Sequence, residues 1–385
     1  MIVSRVVVVG AGLAGLQTVV ALRAQGYAGL LTLVGAEDEP PYDRPPLSKA
    51  LLAGGTDSTT LEADWSELGA DLRLATTVTS VGDGVVGTDR GELPFDGLVL
   101  ATGAAPRRLA GADSALTLRT RVDALRLRGS LRPGVRLVIV GAGWIGAEVA
   151  TTAVAAGVRV TVVEGLGAPL ATALPVELGA RTAPWWAGAD LRLGARVETV
   201  EPGAVHLEGG ERVPADVVLL GIGARPATVP GVALTPAGAV AVDERLRTSR
   251  PGVFAVGDCA SWQSARYRTR MHVEHWDSAL RAPAVAAANL LGGSQVWDPV
   301  PYFWSEQWGR MVQYAGHHPA GDRLVWREDG ERWAAFWLAG DRLVAALTVD
   351  RPRDLVQARH LMERDATVDA AMLADPSVAV KAAAF

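Results

Sequence analysis

The amino-acid sequence predicts an α/β fold with two Rossmann-like units followed by a smaller α+β module, and three observations carry that expectation. The run Val6-Val7-Val8-Val9-Gly10-Ala11-Gly12-Leu13-Ala14-Gly15 is a β-branched strand that ends in spaced glycines and turns helical. Mid-chain, Leu137-Val138-Ile139-Val140-Gly141-Ala142-Gly143-Trp144-Ile145-Gly146 repeats the strand, the glycine spacing and the helix entry. From Pro301 onward the pattern changes to short strands, with Asp329-Gly330 and Gly340-Asp341 as hairpin turns.

The totals agree with several domains and exclude some roles. A chain of 385 residues exceeds what one hydrophobic core usually supports, so two or three domains are expected. A net charge of -5 argues against a general nucleic-acid binder, which needs a basic excess. The single cysteine, Cys259, excludes an internal disulfide, a paired-cysteine redox centre and a cysteine-based zinc site, and no metal site is expected. The apolar start is spent on a nucleotide turn and no cleavage site follows it, so it is not read as a signal peptide. No uninterrupted apolar run is long enough to span a bilayer, and the expected location is the cytoplasm.

Taken in order, the first unit is a cradle for a diphosphate. Gly10 permits the turn, Gly12 lets the backbone approach the anion, and Gly15 lets the helix pack on the strand, so that free N–H groups face the ligand. A helix over Leu13 to Ala24 leads to a strand at Leu30 to Val34, after which Glu37 is placed to accept ribose hydroxyls. The alternative for Glu37 is a solvated loop acid beside Asp38 and Glu39. The proline-rich loop Pro40 to Lys49 holds Arg44 and Lys49 in fixed positions, or is simply a stiff connector. Short strands fill 61–100, and the buried strand Gly97 to Leu100 stops at Ala101-Thr102-Gly103, a small-residue turn that allows close approach to a flat ligand.

The second cradle, Gly141, Gly143 and Gly146 with Ile145, is followed by a strand at Val158 to Val163 and by Glu164. That carboxylate can hold a ribose 2′-hydroxyl and would repel a 2′-phosphate, and no arginine follows within Gly165 to Leu170, so NADH is expected and NADPH disfavoured. Strands near Val197, Val205 and Val217 to Leu220 close this unit at Gly221-Ile222-Gly223, and Gly223 is counted with the site. The chain then returns through a buried strand to Gly257-Asp258-Cys259, where Asp258 is a helix cap or a cofactor contact. The late module reads as strands at Met311 to Tyr314, Arg323 to Arg327, Trp333 to Leu338 and Arg342 to Val349, then a helix from Pro352 to Arg364. Its tryptophans are mainly core fillers.

With these residues in place, the chain resembles the flavin-dependent ferredoxin reductases of the putidaredoxin-reductase type, which serve bacterial cytochrome P450 and dioxygenase systems. The resemblance spans nearly the whole length. It rests on the first cradle, Arg44-Pro45-Pro46-Leu47-Ser48-Lys49, Ala101-Thr102-Gly103, the second cradle with Glu148, Gly257-Asp258, Glu274-His275-Trp276 and Phe303-Trp304-Ser305. It implies a glutathione-reductase-like arrangement: an FAD domain from residues 1–111 and 238–300, an NAD domain at 112–237 inserted in it, and a C-terminal reductase domain at 301–385. It further implies FAD contacts at Ala14, Arg44, Lys49, Val78, Thr102, Arg119, Asp258 and Trp276, beside the three glycines and Glu37. Ala36 stands where the family often has an acid, Trp144 where it has Tyr or Phe, and Pro283 falls in the helix after Trp276.

The chemistry this implies is hydride transfer from NADH to FAD, then single-electron transfer to a [2Fe-2S] ferredoxin. Lys49 is assigned to the flavin N5/O4 edge, with Glu148 as its ion-pair partner and a plain surface pair as the alternative. Trp276 is expected to flank the flavin and Trp304 to line the electron exit. Cys259 is read as a small core residue, and electrons therefore leave without a sulfur relay. Arg266-Tyr267-Arg268-Thr269-Arg270 offers a local basic surface for an acidic ferredoxin, or a solvated loop. The rival roles are an NADH oxidase or rubredoxin or quinone reductase, and a redox-sensing interaction protein like apoptosis-inducing factor. A monomer or weak homodimer is expected.

Overall fold

The computed structural model describes residues 3–385. Its centre is the strand Arg5–Val9, four of whose residues are buried valines. Buried on both faces, such a β-branched run belongs inside a parallel sheet. The sheet has the order Val253–Ala255, Gly97–Leu100, Arg5–Val9, Leu30–Val34, Ala70–Arg73. Every neighbouring pair is parallel, with Val7 opposite Thr32 on one side and Leu98 on the other. Helix Leu13–Ala24 packs on it together with helix Trp276–Leu290. Pro283 lies inside that second helix, which runs unbroken from Trp276 and gives up one backbone hydrogen bond at the proline.

A second parallel sheet falls in sequence between Gly97–Leu100 and Val253–Ala255, with the order Asp190–Leu193, Arg159–Glu164, Arg136–Val140, Val217–Leu220. The chain leaves the first sheet and returns to it through one antiparallel ribbon, Ala104–Pro106 against Ala224–Pro226. Each Rossmann-like unit also carries a three-stranded antiparallel sheet, at Val78–Val81, Val85–Thr88 and Gly91–Pro94 in the first and at Val197–Glu201, Ala204–Leu207 and Arg212–Pro214 in the second.

The C-terminal module is a five-stranded antiparallel sheet in the order Tyr302–Gln307, Arg310–Gly316, Arg342–Val349, Arg332–Ala339, Arg323–Asp329, covered by helix Pro352–Glu363. Four of these strands follow the sequence expectation. Tyr302–Gln307 does not, because its inward positions include the polar Ser305 and Gln307 while Glu306 faces out, so polar residues stand on both faces and the apolar alternation is lost.

Candidate functional site

The two glycine turns are built alike. A Cβ on Gly10 would overlap the Ala101 carbonyl, and one on Gly15 would overlap the Gly10 carbonyl. In the second unit Gly141 and Gly146 are confined in the same way by the Gly221 and Gly141 carbonyls. Gly12, by contrast, has no heavy atom within 4 Å of the position its Cβ would take, and no side chain caps the helix that starts beside it. The mouth of the turn is thus open where the first N–H groups of the helix point outward, which fits a diphosphate. The helix at Trp144 is likewise uncapped, and Ile145 on its first turn is exposed.

Beyond the first cradle, Glu37 is half-exposed and engaged: its Oε1 accepts from Arg44 at 2.7 Å and its Oε2 from the Tyr42 hydroxyl at 2.5 Å. Tyr42 also accepts from the Arg121 N–H, and its hydroxyl is pushed up to about 12, chiefly by burial. Arg44 continues the network to the Arg119 carbonyl at 2.6 Å, and Arg119 pairs with Asp258 at 2.8 Å. The Nε of Arg119 is buried without a partner, and the guanidinium lies 3.4 Å from the position of a Cβ on Gly103. Glu37, Arg44, Arg119 and Asp258 are therefore one connected set along the cradle. Thr102 donates its hydroxyl to the Ala227 carbonyl, and Val78 opens the strand that pairs with Thr88.

On the other side, Glu164 is held by backbone, its Oε2 accepting from Ala142 N–H at 2.8 Å and its Oε1 from Leu166 N–H at 2.9 Å. This fixes the carboxylate at the rim of the second turn. The aliphatic part of Arg196 lies near Gly165, an arginine outside the window searched in the sequence. Gly223 sits beside Arg107 with a positive φ.

Lys49, from the proline-rich loop of the first unit, and Glu148, on the helix that opens from the second turn, meet at 2.8 Å. The pair is not on the surface, since the Glu148 side chain is 4% exposed and that of Lys49 is 19% exposed. Two hydroxyls that the sequence did not single out as partners complete the carboxylate's shell: Ser48 donates to Oε2 at 2.5 Å and Ser305 to Oε1 at 2.6 Å. Trp276 donates from Nε1 to Asp43 at 2.7 Å, and burial holds the Asp43 carboxyl above its usual range. The Trp276 ring meets Trp304 edge-on at 5.7 Å, and Trp304 stacks on Tyr302 at 6.1 Å.

Cys259 is fully buried, its thiol donates to the carbonyls of Val256 and Leu100, and burial raises its pKa. It has the surroundings of an inert core residue. In the segment Arg266 to Arg270, Arg268 and Arg270 are exposed and Arg266 is half-buried. Arg266 donates to the Met362 carbonyl at 2.6 Å and Arg270 to the carbonyls of Ser261 and Val242, which leaves Arg268 as the exposed arginine of the hairpin without such a bond among the described residues.

Two open dinucleotide turns on nested parallel sheets, with a buried ion pair joining the two units and no accessible thiol, define a pyridine-nucleotide-linked oxidoreductase. The chain belongs to the pyridine nucleotide-disulphide oxidoreductase family, whose profile matches residues 4–282, and residues 302–384 match the reductase C-terminal domain. It is 36% identical over 397 residues to the ferredoxin--NAD(+) reductase component of the p-cumate 2,3-dioxygenase system of Pseudomonas putida, with 98% of each chain covered. The crystal structure of Fdr9 superposes with a TM-score of 0.94 at 47% identity, covering 98% of this chain and 99% of that one. The reductase in the covalent putidaredoxin reductase–putidaredoxin complex superposes with a TM-score of 0.93 at 33% identity, covering 98% of this chain and 97% of that one. Among the described residues, no helix is long and apolar enough to cross a membrane.

Proposed function

We propose that this chain takes a hydride from NADH on a bound FAD and passes the electrons singly to a [2Fe-2S] ferredoxin, in the cytoplasm, for a cytochrome P450 or ring-hydroxylating oxygenase. The observation that carries the reading is the Lys49–Glu148 pair, which joins the unit of the first cradle to the helix of the second with no thiol able to take part. When bound, FAD accepts electrons as a pair and releases them one at a time, chemistry that no side chain of this protein supplies. Overall, NADH and two oxidised ferredoxins give NAD+, a proton and two reduced ferredoxins.

In this reading Gly10, Gly12, Ala14 and Gly15 hold the FAD diphosphate, and Glu37 the adenosine ribose. Arg44, Val78, Thr102, Gly103, Arg119 and Asp258 line the rest of the FAD site. Arg119 and Asp258 face each other, and the unpaired Nε of Arg119 is a donor free for a phosphate oxygen. Gly141, Gly143, Ile145, Gly146, Glu164 and Gly223 hold NADH. Glu164, already fixed by two backbone N–H groups, keeps acceptor capacity for a ribose hydroxyl but repels a 2′-phosphate. Lys49 places an ammonium at the edge of the flavin that receives hydride, where it stabilises incoming negative charge. Trp276 flanks the flavin, and Trp304 leads from it toward the partner.

The test is NADH-dependent reduction of cytochrome c by the FAD-loaded protein, with and without a panel of [2Fe-2S] ferredoxins. The reading requires that a ferredoxin accelerate it. Equal NADH consumption with oxygen or a quinone alone indicates an oxidase or quinone reductase instead, and slow flavin reduction with NADH-dependent dimerisation indicates a sensor.

A further inference from the structure

Strand Tyr302–Gln307 lies along helix Trp144–Ala155, and the two match residue by residue. Phe303 meets Trp144 edge-on at 4.8 Å, Ser305 Oγ reaches Glu148 Oε1 at 2.6 Å, and past the strand end Trp308 N–H reaches Thr151 Oγ1 at 2.9 Å. Positions 144, 148 and 151 share one helix face, and 303, 305 and 307 share one strand face. The C-terminal module is therefore keyed to the helix that opens from the second cradle.

The middle of this contact is polar where an apolar residue would pack more cheaply. Ser305 and Gln307 are each 1% exposed, and Gln307 donates from Nε2 to Ser305 Oγ at 3.3 Å. An ionised Glu148 can only accept, so Ser305 must give its proton to Oε1 and can receive only a donor from Gln307. That fixes the amide orientation and accounts for the unpartnered Gln307 Oε1. Donors thus run one way, from Gln307 through Ser305 to Oε1, while Ser48 and Lys49 hold Oε2. Both oxygens of the carboxylate are fixed, and the fixing groups come from two stretches of the chain far apart in sequence, 48–49 and 305–307. A lone ion pair would leave the carboxylate free to turn about its Oε2 contact.

We propose that Ser305, oriented by Gln307, is a positioning residue for the Lys49–Glu148 pair, by which the C-terminal module sets where the ammonium stands. The inference rests on the place assigned above to Lys49, at the edge of the flavin that receives hydride. With Oε1 released, Glu148 turns, Lys49 follows it, and the reduced state loses stabilisation.

The experiment uses FAD-loaded Ser305→Ala, Ser305→Thr, Gln307→Met and, as reference, Lys49→Met. Flavin midpoint potentials are measured by dye equilibration, and anaerobic stopped-flow reduction over a range of NADH concentrations separates the limiting rate from half-saturation. Ser305→Ala is expected to lower the limiting rate about tenfold, as for one hydrogen bond to a charged group, with half-saturation unchanged. Its potential is expected to fall by about 30 mV, the same tenfold change for a two-electron couple. Ser305→Thr restores both, and Gln307→Met moves both in the direction of Ser305→Ala by less. If Ser305→Ala and Gln307→Met match wild type while Lys49→Met lowers rate and potential, the positioning role is overturned and the lysine assignment stands. A change in half-saturation alone also overturns it, because that marks a displaced cradle. If Lys49→Met leaves both quantities unchanged, the lysine assignment fails and the inference falls with it.

Discussion

Replacing Lys49 by Met removes the ammonium and keeps most of the side-chain volume. In stability terms it leaves Glu148, 4% exposed, without its cation but with the hydroxyls of Ser48 and Ser305 still donating. Breaking a buried pair from one side costs about 3–5 kcal/mol. Because the two hydroxyls remain, each worth about 1.5–3 kcal/mol to a charged acceptor, the loss falls at the lower end, about 3 kcal/mol. Glu148→Gln costs less, about 1 kcal/mol, since the partly exposed Lys49 can turn to water and one hydroxyl can still donate to the amide oxygen while the other accepts from its NH2. The double variant should recover about 1–3 kcal/mol relative to the sum of the single changes, which urea unfolding of the loaded protein measures. In rate terms, losing a preorganised positive charge where negative charge arrives slows flavin reduction by about a hundredfold. Anaerobic stopped-flow reduction by NADH reads this directly. A Lys49→Met rate within experimental error of wild type, with additive unfolding energies, would refute both the pairing and its catalytic use.

Glu164→Ala should lower the ratio of kcat/KM for NADH over NADPH by about tenfold or more, the size of one removed charge repulsion, and an unchanged ratio would exclude Glu164 from the ribose site. Trp304→Ala should slow ferredoxin reduction by about tenfold, as for an aromatic anchor at an interface, while flavin reduction by NADH keeps its rate; equal ferredoxin kinetics would remove it from the exit. Cys259→Ala should cost about 1 kcal/mol of stability and nothing in ferredoxin reduction, and a selective loss of turnover would contradict a thiol-free route. His275 is held neutral by burial, its pKa lowered to about 4. Its folded value lies below the unfolded one of about 6.5, so its contribution is intact above that pH and is lost as pH falls toward 4, of order 3 kcal/mol at full titration. His275→Phe should therefore lose less thermal stability than wild type between pH 7 and pH 4.5, and parallel losses would refute the linkage.

What could be read in the sequence was what chain neighbours decide. Gly10, Gly12 and Gly15 announce a turn because the steric demand is local, and the strand and helix around them fall at Arg5–Val9 and Leu13–Ala24. The partners of a side chain are a different matter. Glu148 draws donors from positions 48, 49 and 305, and no spacing rule links residues that far apart; only the resemblance joins Lys49 to Glu148, and it carries Ser48 and Ser305 within its motifs without giving either a partner. Glu37 and Arg44 each read as cofactor contacts, and the stiff loop folds back so that they also meet each other and Tyr42, which no spacing announces. Tyr302–Gln307, read in the sequence only as part of a motif, is not legible as a strand for the same reason that makes it useful: its inward serine and glutamine break the apolar alternation in order to serve a carboxylate on another module. Arg266 and Arg270 keep their charge while their N–H groups reach the protein's own carbonyls, contacts that the run of residues 266–270 does not announce. In each case a polar residue looked either free or misplaced because its partner lay elsewhere in the chain. A buried polar residue that breaks a local pattern is therefore the position at which to look for a distant group that needs it.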